Sequence, residues 1–129
     1  MAPLATEEPI ARFIRDRNYY RVDRTLRHSA FMPWRQDMQV SVFRIYDLGS
    51  NEIWELGSLH IVTSHGQQLL GRADLKVSDV TNIGLQVIPD EPPPRHANIT
   101  AWPEDNSKHK LLAAQLAAKA SLHLTSDAT

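Results

Sequence analysis

The stretch PPPRHANITAWPEDNSKHK, residues 92–110, holds a connector, a strand and a helix start in that order, and its reading decides the fold. Each proline fixes its own φ, removes an amide donor and pushes the preceding residue toward extended geometry. PDEPPP, residues 89–94, therefore reads as an extended connector. HANITAW follows with a period of two, His96, Asn98, Thr100 and Trp102 alternating with Ala97, Ile99 and Ala101. That alternation predicts a strand with a small apolar inner face and a polar outer one. Pro103, Glu104 and Asp105 then announce a helix from Asn106 to about Leu122, because acids favour the positive end of the helix dipole. Ala and Leu fill most of its circumference, so it can approach a sheet closely.

The segments upstream supply the rest of the sheet. MQVSVFRIY, residues 38–46, is the clearest strand, β-branched or aromatic on both faces and interrupted by Arg44. LLGRADLKV (69–77) and GLQVIP (84–89) predict two more strands, separated by the polar SDVTNI. PIARFIRDRNYYRV (9–22) places Ile10, Phe13 and Ile14 on one helical stripe before Tyr19, Tyr20 and Val22 shift toward strand composition. In AFMPW (30–34) the proline limits any strand to an edge or an end. NEIWELGSLHIVTSHG (51–66) reads two ways: as a helix capped by Ser50 or Asn51 and closed by Gly66, the favoured reading, or, given a cost of about 1 kcal/mol for Gly57 in a helix interior and the apolar run LHIV, as a strand. Residues 1–8 and 124–129 read as loose ends. The order predicts an α+β fold, a single domain over 1–129. It has a mostly antiparallel sheet of about five strands and a C-terminal helix packed on one face.

Composition narrows the function classes. A chain of 129 residues with 42% hydrophobic and 22% charged residues has the balance of a globular domain, not of a disordered one. There are no cysteines, which excludes disulfides and thiolate chemistry. No apolar run approaches the ~18 residues that span a bilayer, and MAPLATEEPIARF lacks the basic start and long apolar core of a signal peptide. A soluble, cytoplasmic protein with no membrane partner is expected. The net charge of −1 does not support a general nucleic-acid binder. It hides an asymmetry, since residues 1–44 carry eight Arg and five acids, whereas residues 45–129 carry six Lys or Arg and ten acids. Ten of the fourteen cations are Arg, the side chain suited to forked recognition of carboxylate or phosphate.

Several chemistries lack their motifs. His60 and His65 are five apart, about 140° around a helix, so shared metal ligation is not expected, and neither a metal nor a cofactor is implied. No glycine-rich phosphate loop is present. No Gly-x-Ser-x-Gly elbow occurs, so a hydrolase triad is not expected either. What remains is a dispersed polar set. Arg44 sits in an apolar strand and must find a partner or a cleft. Arg72 and Asp74 are two apart in GRADL, and His96 and Asn98 are two apart in HANI, so each pair shares a strand face. Arg95 adjoins His96, and His28 follows Arg27 in a second Arg-His pair.

Gathered on one sheet face, these residues could hold an anionic group with Arg and move a proton with His, whose pKa lies near neutrality. The expectation is a binding or accessory module, with Arg44, Arg72, Asp74, Arg95 and Asn98 as ligand contacts. One alternative is a metal-independent enzyme on RNA or another phosphoester, with His96 or His28 as general acid or base. Another is an interaction subunit that docks a protein partner through the Ala/Leu-rich helix. Tyr19, Tyr20, Phe31 and Trp34 interleave with arginines and read equally as base-stacking or core residues. SVFR (41–44), GRADL (71–75) and PPPRHANITAWP (92–103) together resemble a family of small, standalone bacterial proteins without an assigned activity. The resemblance runs from about Arg12 to Leu122. It implies that the whole chain is the unit and that Arg44, Arg72, Asp74, Arg95, His96 and Asn98 belong to the family pattern. Oligomeric state is left open.

Overall fold

The computed structural model describes residues 4–128. Its first strand, β1 (Pro9–Ile14), pairs on one side with β2 (Val40–Arg44) and on the other with β3 (Gly71–Lys76). A strand covered on both faces needs apolar residues without strict alternation. Ile10, Ala11, Phe13 and Ile14 are all buried, and their spacing imitates the stripe of a helix. The short helix expected from PIARFI is therefore a central strand. The strand expected around Tyr19 to Val22 is also absent. In its place is a 3-10 turn, Arg17–Tyr19, and a single bridge between Tyr20 and Leu26.

The helix α1 (Ser50–Gly57) follows β2 and runs on into a π-helical turn, Ser58–Thr63, the helical of the two alternatives for 51–66. Helix α2 (Val77–Thr81) replaces the polar separator SDVTNI, because Val77 and Val80 are buried and convert it into an amphipathic turn. The strands β4 (Gln86–Pro89) and β5 (His96–Thr100) form a hairpin whose loop holds Pro92 to Pro94, bent where an extended connector was expected. Helix α3 (His109–Lys119) ends earlier than the sequence suggests, and β6 (Ser121–Leu124) takes over. The alternation in SLHL explains the change, since it sets Leu122 and Leu124 on one face along the free edge of β3.

The result is one six-stranded, fully antiparallel sheet in the order β4-β5-β2-β1-β3-β6, an α+β fold with its last helix packed on the sheet. Register assigns the two faces. Ile10 lies opposite Arg44 and Leu75, and Ala11 lies opposite Phe43 and Asp74. The larger core gathers Ile10, Ile14, Val42, Ala73, Ile99 and the fully buried Phe31 under α2, α3 and a 3-10 turn at His28–Phe31. The smaller core places Phe13 and Phe43 under Ile53 of α1 and Ile61 of the π turn. Trp102 leaves the outer face because Ala101 has φ 68° and ends the strand, which turns the indole inward to donate to the Ile99 carbonyl at 3.0 Å.

The described parts of the two chain ends make defined contacts. Glu8 receives both Nε and Nη2 of Arg44 at 2.7 and 2.8 Å, and Thr125 donates its amide to the Leu70 carbonyl at 2.8 Å. Among the described residues no helix is long and apolar enough to cross a membrane.

Candidate functional site

The site begins with a defect in the sheet. β1 and β2 pair at Ile10 with Arg44 and at Ala11 with Phe43, and the ladder between them stops there. The Arg44 amide donates to the Arg95 carbonyl at 2.8 Å, which makes Ser41 and Asn98 a non-hydrogen-bonded pair between β2 and β5. Ser41 consequently turns its backbone groups toward β1, where the strand partner is missing. Arg12 fills the vacancy. Its Nη1 donates to the Ser41 carbonyl at 2.9 Å, and its Nε donates to the Ala30 carbonyl at 3.1 Å.

This guanidinium is held by neutral groups. Among the described residues neither Arg12 nor Arg15 forms an ion pair. Burial pushes the Arg12 pKa down to about 10, Tyr19 beside it works in the opposite direction, and the neighbouring Arg15 adds to the lowering. The group is still a cation at neutral pH. A half-buried cation without a carboxylate makes a local positive potential that an external anion can satisfy.

Two recesses meet around it. The basic one, about 160 Å³, is lined by Arg12, Arg15, His60, His65, His96 and Ser41 with four apolar residues, and by no carboxylate. The mixed one, about 440 Å³, shares Arg12, Arg15, Ser41 and His96 and adds Tyr19, Trp34, Asp37, Asp90 and Asn98 among others. The first is below the usual size of a ligand pocket and the second is within it.

His60 enters the basic recess from the π-helical turn, a feature often found at functional sites. Its ring stacks on Phe43 with centroids 4.3 Å apart, and His96 meets the same phenyl edge-on at 5.3 Å. Burial lowers the His60 pKa, and the proximity of His96 and His65 lowers it further, which favours the neutral ring. Its buried Nε2 has no hydrogen-bond partner among the described residues.

His96 is held at both ring nitrogens. Nδ1 lies 2.9 Å from the Asp90 carbonyl, and Nε2 lies 2.6 Å from the Ser41 hydroxyl. A carbonyl can only accept, so Nδ1 carries the proton and Nε2 of the neutral ring accepts from Ser41. The Asp90 carboxylate adds a contact at 3.6 Å to Nδ1 and receives Asn98 Nδ2 at 2.8 Å. Ser41, His96 and the Asp90 main chain thus form a hydrogen-bonded chain, with the Asp90 carboxylate beside it, and the glycine-flanked elbow of a hydrolase triad is absent, as the sequence shows. Ser41 lies in mid-strand, and cross-strand register brings it to His96.

The residues expected to form one constellation divide into separate groups. His96 and Asn98 reach the cleft. Arg44 lies on the opposite sheet face, neutralised by Glu8 and stacked over Tyr46 at 5.0 Å, so it does not join them. Arg95 braces the β2 exit, donating to the Tyr46 carbonyl at 2.9 Å and to Asp47 at 2.9 Å. Arg72 and Asp74 share the face of His96 and pair at 3.2 Å, but they sit on β3, where Arg72 covers Trp54 and His123 joins Asp74. His28 opens on a different groove, between its own turn and the alanines of α3.

Sequence reasoning missed Arg12, Arg15, Ser41, Asp90 and His60. Arg12 carries the same signature as Arg44, a cation between buried apolar residues, but the helical reading of PIARFI conceals it. The described residues contain no group of three or more His, Cys, Asp or Glu that could hold a metal ion. No protein-family profile, curated protein or solved structure gives a significant match to the chain.

Proposed function

We propose that the cleft binds a small molecule through a compact anionic group, a phosphate or carboxylate, with Arg12 and Arg15 as its counter-charges. One observation carries this reading: the basic recess joins two arginines and three histidines to a serine hydroxyl and contains no acid. Its volume of about 160 Å³ suits the anionic end of a ligand. The adjoining recess of about 440 Å³, with Trp34 and Tyr19 in its wall, suits the remainder. Arg12 spends two of its five N–H donors on carbonyls, so its position is fixed before any ligand arrives. Such preorganisation reduces the ordering cost of binding. The π turn contributes His60, whose free ring nitrogen can donate to an oxyanion or accept from a protonated ligand.

Calorimetric titration with phenyl phosphate tests the reading. The chain binds it with saturable heat, and Arg15→Gln weakens the affinity at least tenfold. Equal affinity in Arg15→Gln overturns the assignment.

A further inference from the structure

The hydroxyl of Ser41 is placed at the wall of the same recess as Arg12 and Arg15, and it already donates to a histidine whose other nitrogen is fixed. We propose that Ser41 is a nucleophile toward phosphorus, activated by His96, and that the chain transfers the phosphoryl group of a small phosphomonoester to Ser41 and then to water. The choice of phosphorus rests on the anion-binding reading, since the group that the arginines hold is the group nearest the hydroxyl.

Three features combine here. Ser41 Oγ and His96 Nε2 are 2.6 Å apart, within reach for proton transfer. The Asp90 carbonyl at 2.9 Å from Nδ1 holds the tautomer in which Nε2 is the base, and the Asp90 carboxylate lies 3.6 Å from the same nitrogen. Asn98 donates to that carboxylate at 2.8 Å and fixes its orientation. The arrangement is a nucleophile, a base and an orienting group, and two cations face the electrophile that it requires.

Ser41 Oγ forms a bond to phosphorus while its proton moves to His96 Nε2. The bond from phosphorus to the leaving oxygen breaks on the opposite side, and the departing alkoxide takes a proton from solvent. Arg12 and Arg15 neutralise the charge on the equatorial oxygens. In the second half, water attacks the phosphoserine, and the solvent-equilibrated His96 accepts the water proton and returns one to the Ser41 oxygen as it leaves. Inorganic phosphate is the product, and no oxidant, reductant or co-substrate besides water is needed.

The test uses the full chain with p-nitrophenyl phosphate in the presence of a metal chelator, followed by acid quench and peptide mass analysis. The expected result is a burst of p-nitrophenolate and one phosphoryl group on Ser41. Ser41→Ala abolishes both, and His96→Gln lowers the burst rate by at least about 100-fold, the usual scale of a general base. Circular dichroism of both variants checks that they are folded, and phenyl phosphate binding checks that the recess is intact. Saturable phenyl phosphate binding with neither turnover nor a modified Ser41 overturns the nucleophile and leaves the anion reading standing. Turnover that survives in folded Ser41→Ala overturns the nucleophile as well. Failure of the wild-type chain to bind phenyl phosphate overturns both.

Discussion

Arg12 donates to the main-chain carbonyl of Ser41 at 2.9 Å and so occupies the place where β1 would have bonded to β2. A side chain thus completes a ladder that the backbone leaves open, and the opening is the cleft. The same guanidinium ties the sheet to the 3-10 turn above it through the Ala30 carbonyl at 3.1 Å.

Arg12→Lys separates the two roles of this residue. An ammonium keeps the charge but cannot serve two diverging carbonyls as a planar fork does. Charge-assisted hydrogen bonds contribute about 1.5–3 kcal/mol, and the variant should lose roughly one such bond. A urea titration should show a lower midpoint with an unchanged slope, while phenyl phosphate affinity falls less than it does in Arg15→Gln.

Gly57 marks the junction of α1 with the π turn and packs directly on the smaller core. A Cβ built there would lie 2.6 Å from Phe13 Cε1 and 2.8 Å from Cδ1. The phenyl ring, which meets Phe43 at 5.6 Å between centroids, would have to shift. Gly57→Ala should therefore destabilise by about 1–3 kcal/mol, the usual cost of overpacking, even though alanine is the better helix former. Denaturant unfolding measures the loss, and displaced aromatic resonances of Phe13 and Phe43 would identify its cause.

Much of this was present in the residues and some was not. The strands β2 and β5 and the helix α3 were legible because their periods are distinct and flanked by turn residues. β1 was not, because a central strand buried on both faces loses its alternation and imitates a helical stripe. Read as a helix, that segment hides Arg12, and with it the centre of the site. Arg44 looked equally isolated in its strand, but Glu8, thirty-six positions away, neutralises it on the other face. Which of two similar cations is paired depends on long-range register, and no local pattern encodes that. Ser41 is one polar residue in an apolar strand, and only its diagonal relation to His96 gives it meaning.

His60 gives the fold a pH dependence of definite sign. Its folded pKa lies below the ordinary value of 6.5 because the ring is buried and faces His96 and His65. As pH falls through 6.5 the unfolded chain takes up a proton that the folded chain resists, so stability contributed by the neutral ring is lost on acidification. His60→Phe keeps the stack on Phe43 and removes this contribution. Unfolding midpoints measured at neutral and mildly acidic pH should decline less steeply in the variant than in the parent chain. Identical pH slopes would show that the His60 ring is not held neutral.

In the proposed reading Arg12, Arg15 and the histidines around Ser41 form one anion site. NMR titration with phenyl phosphate, observing the Arg Nε–Hε and His Cε1–Hε1 resonances together, tests it most directly. Arg12, Arg15, His60 and His96 should shift along one saturable curve while Arg44, Arg95 and His28 stay in place. Shifts centred on Arg44 or His28, or a linear drift spread over all arginines, would contradict it.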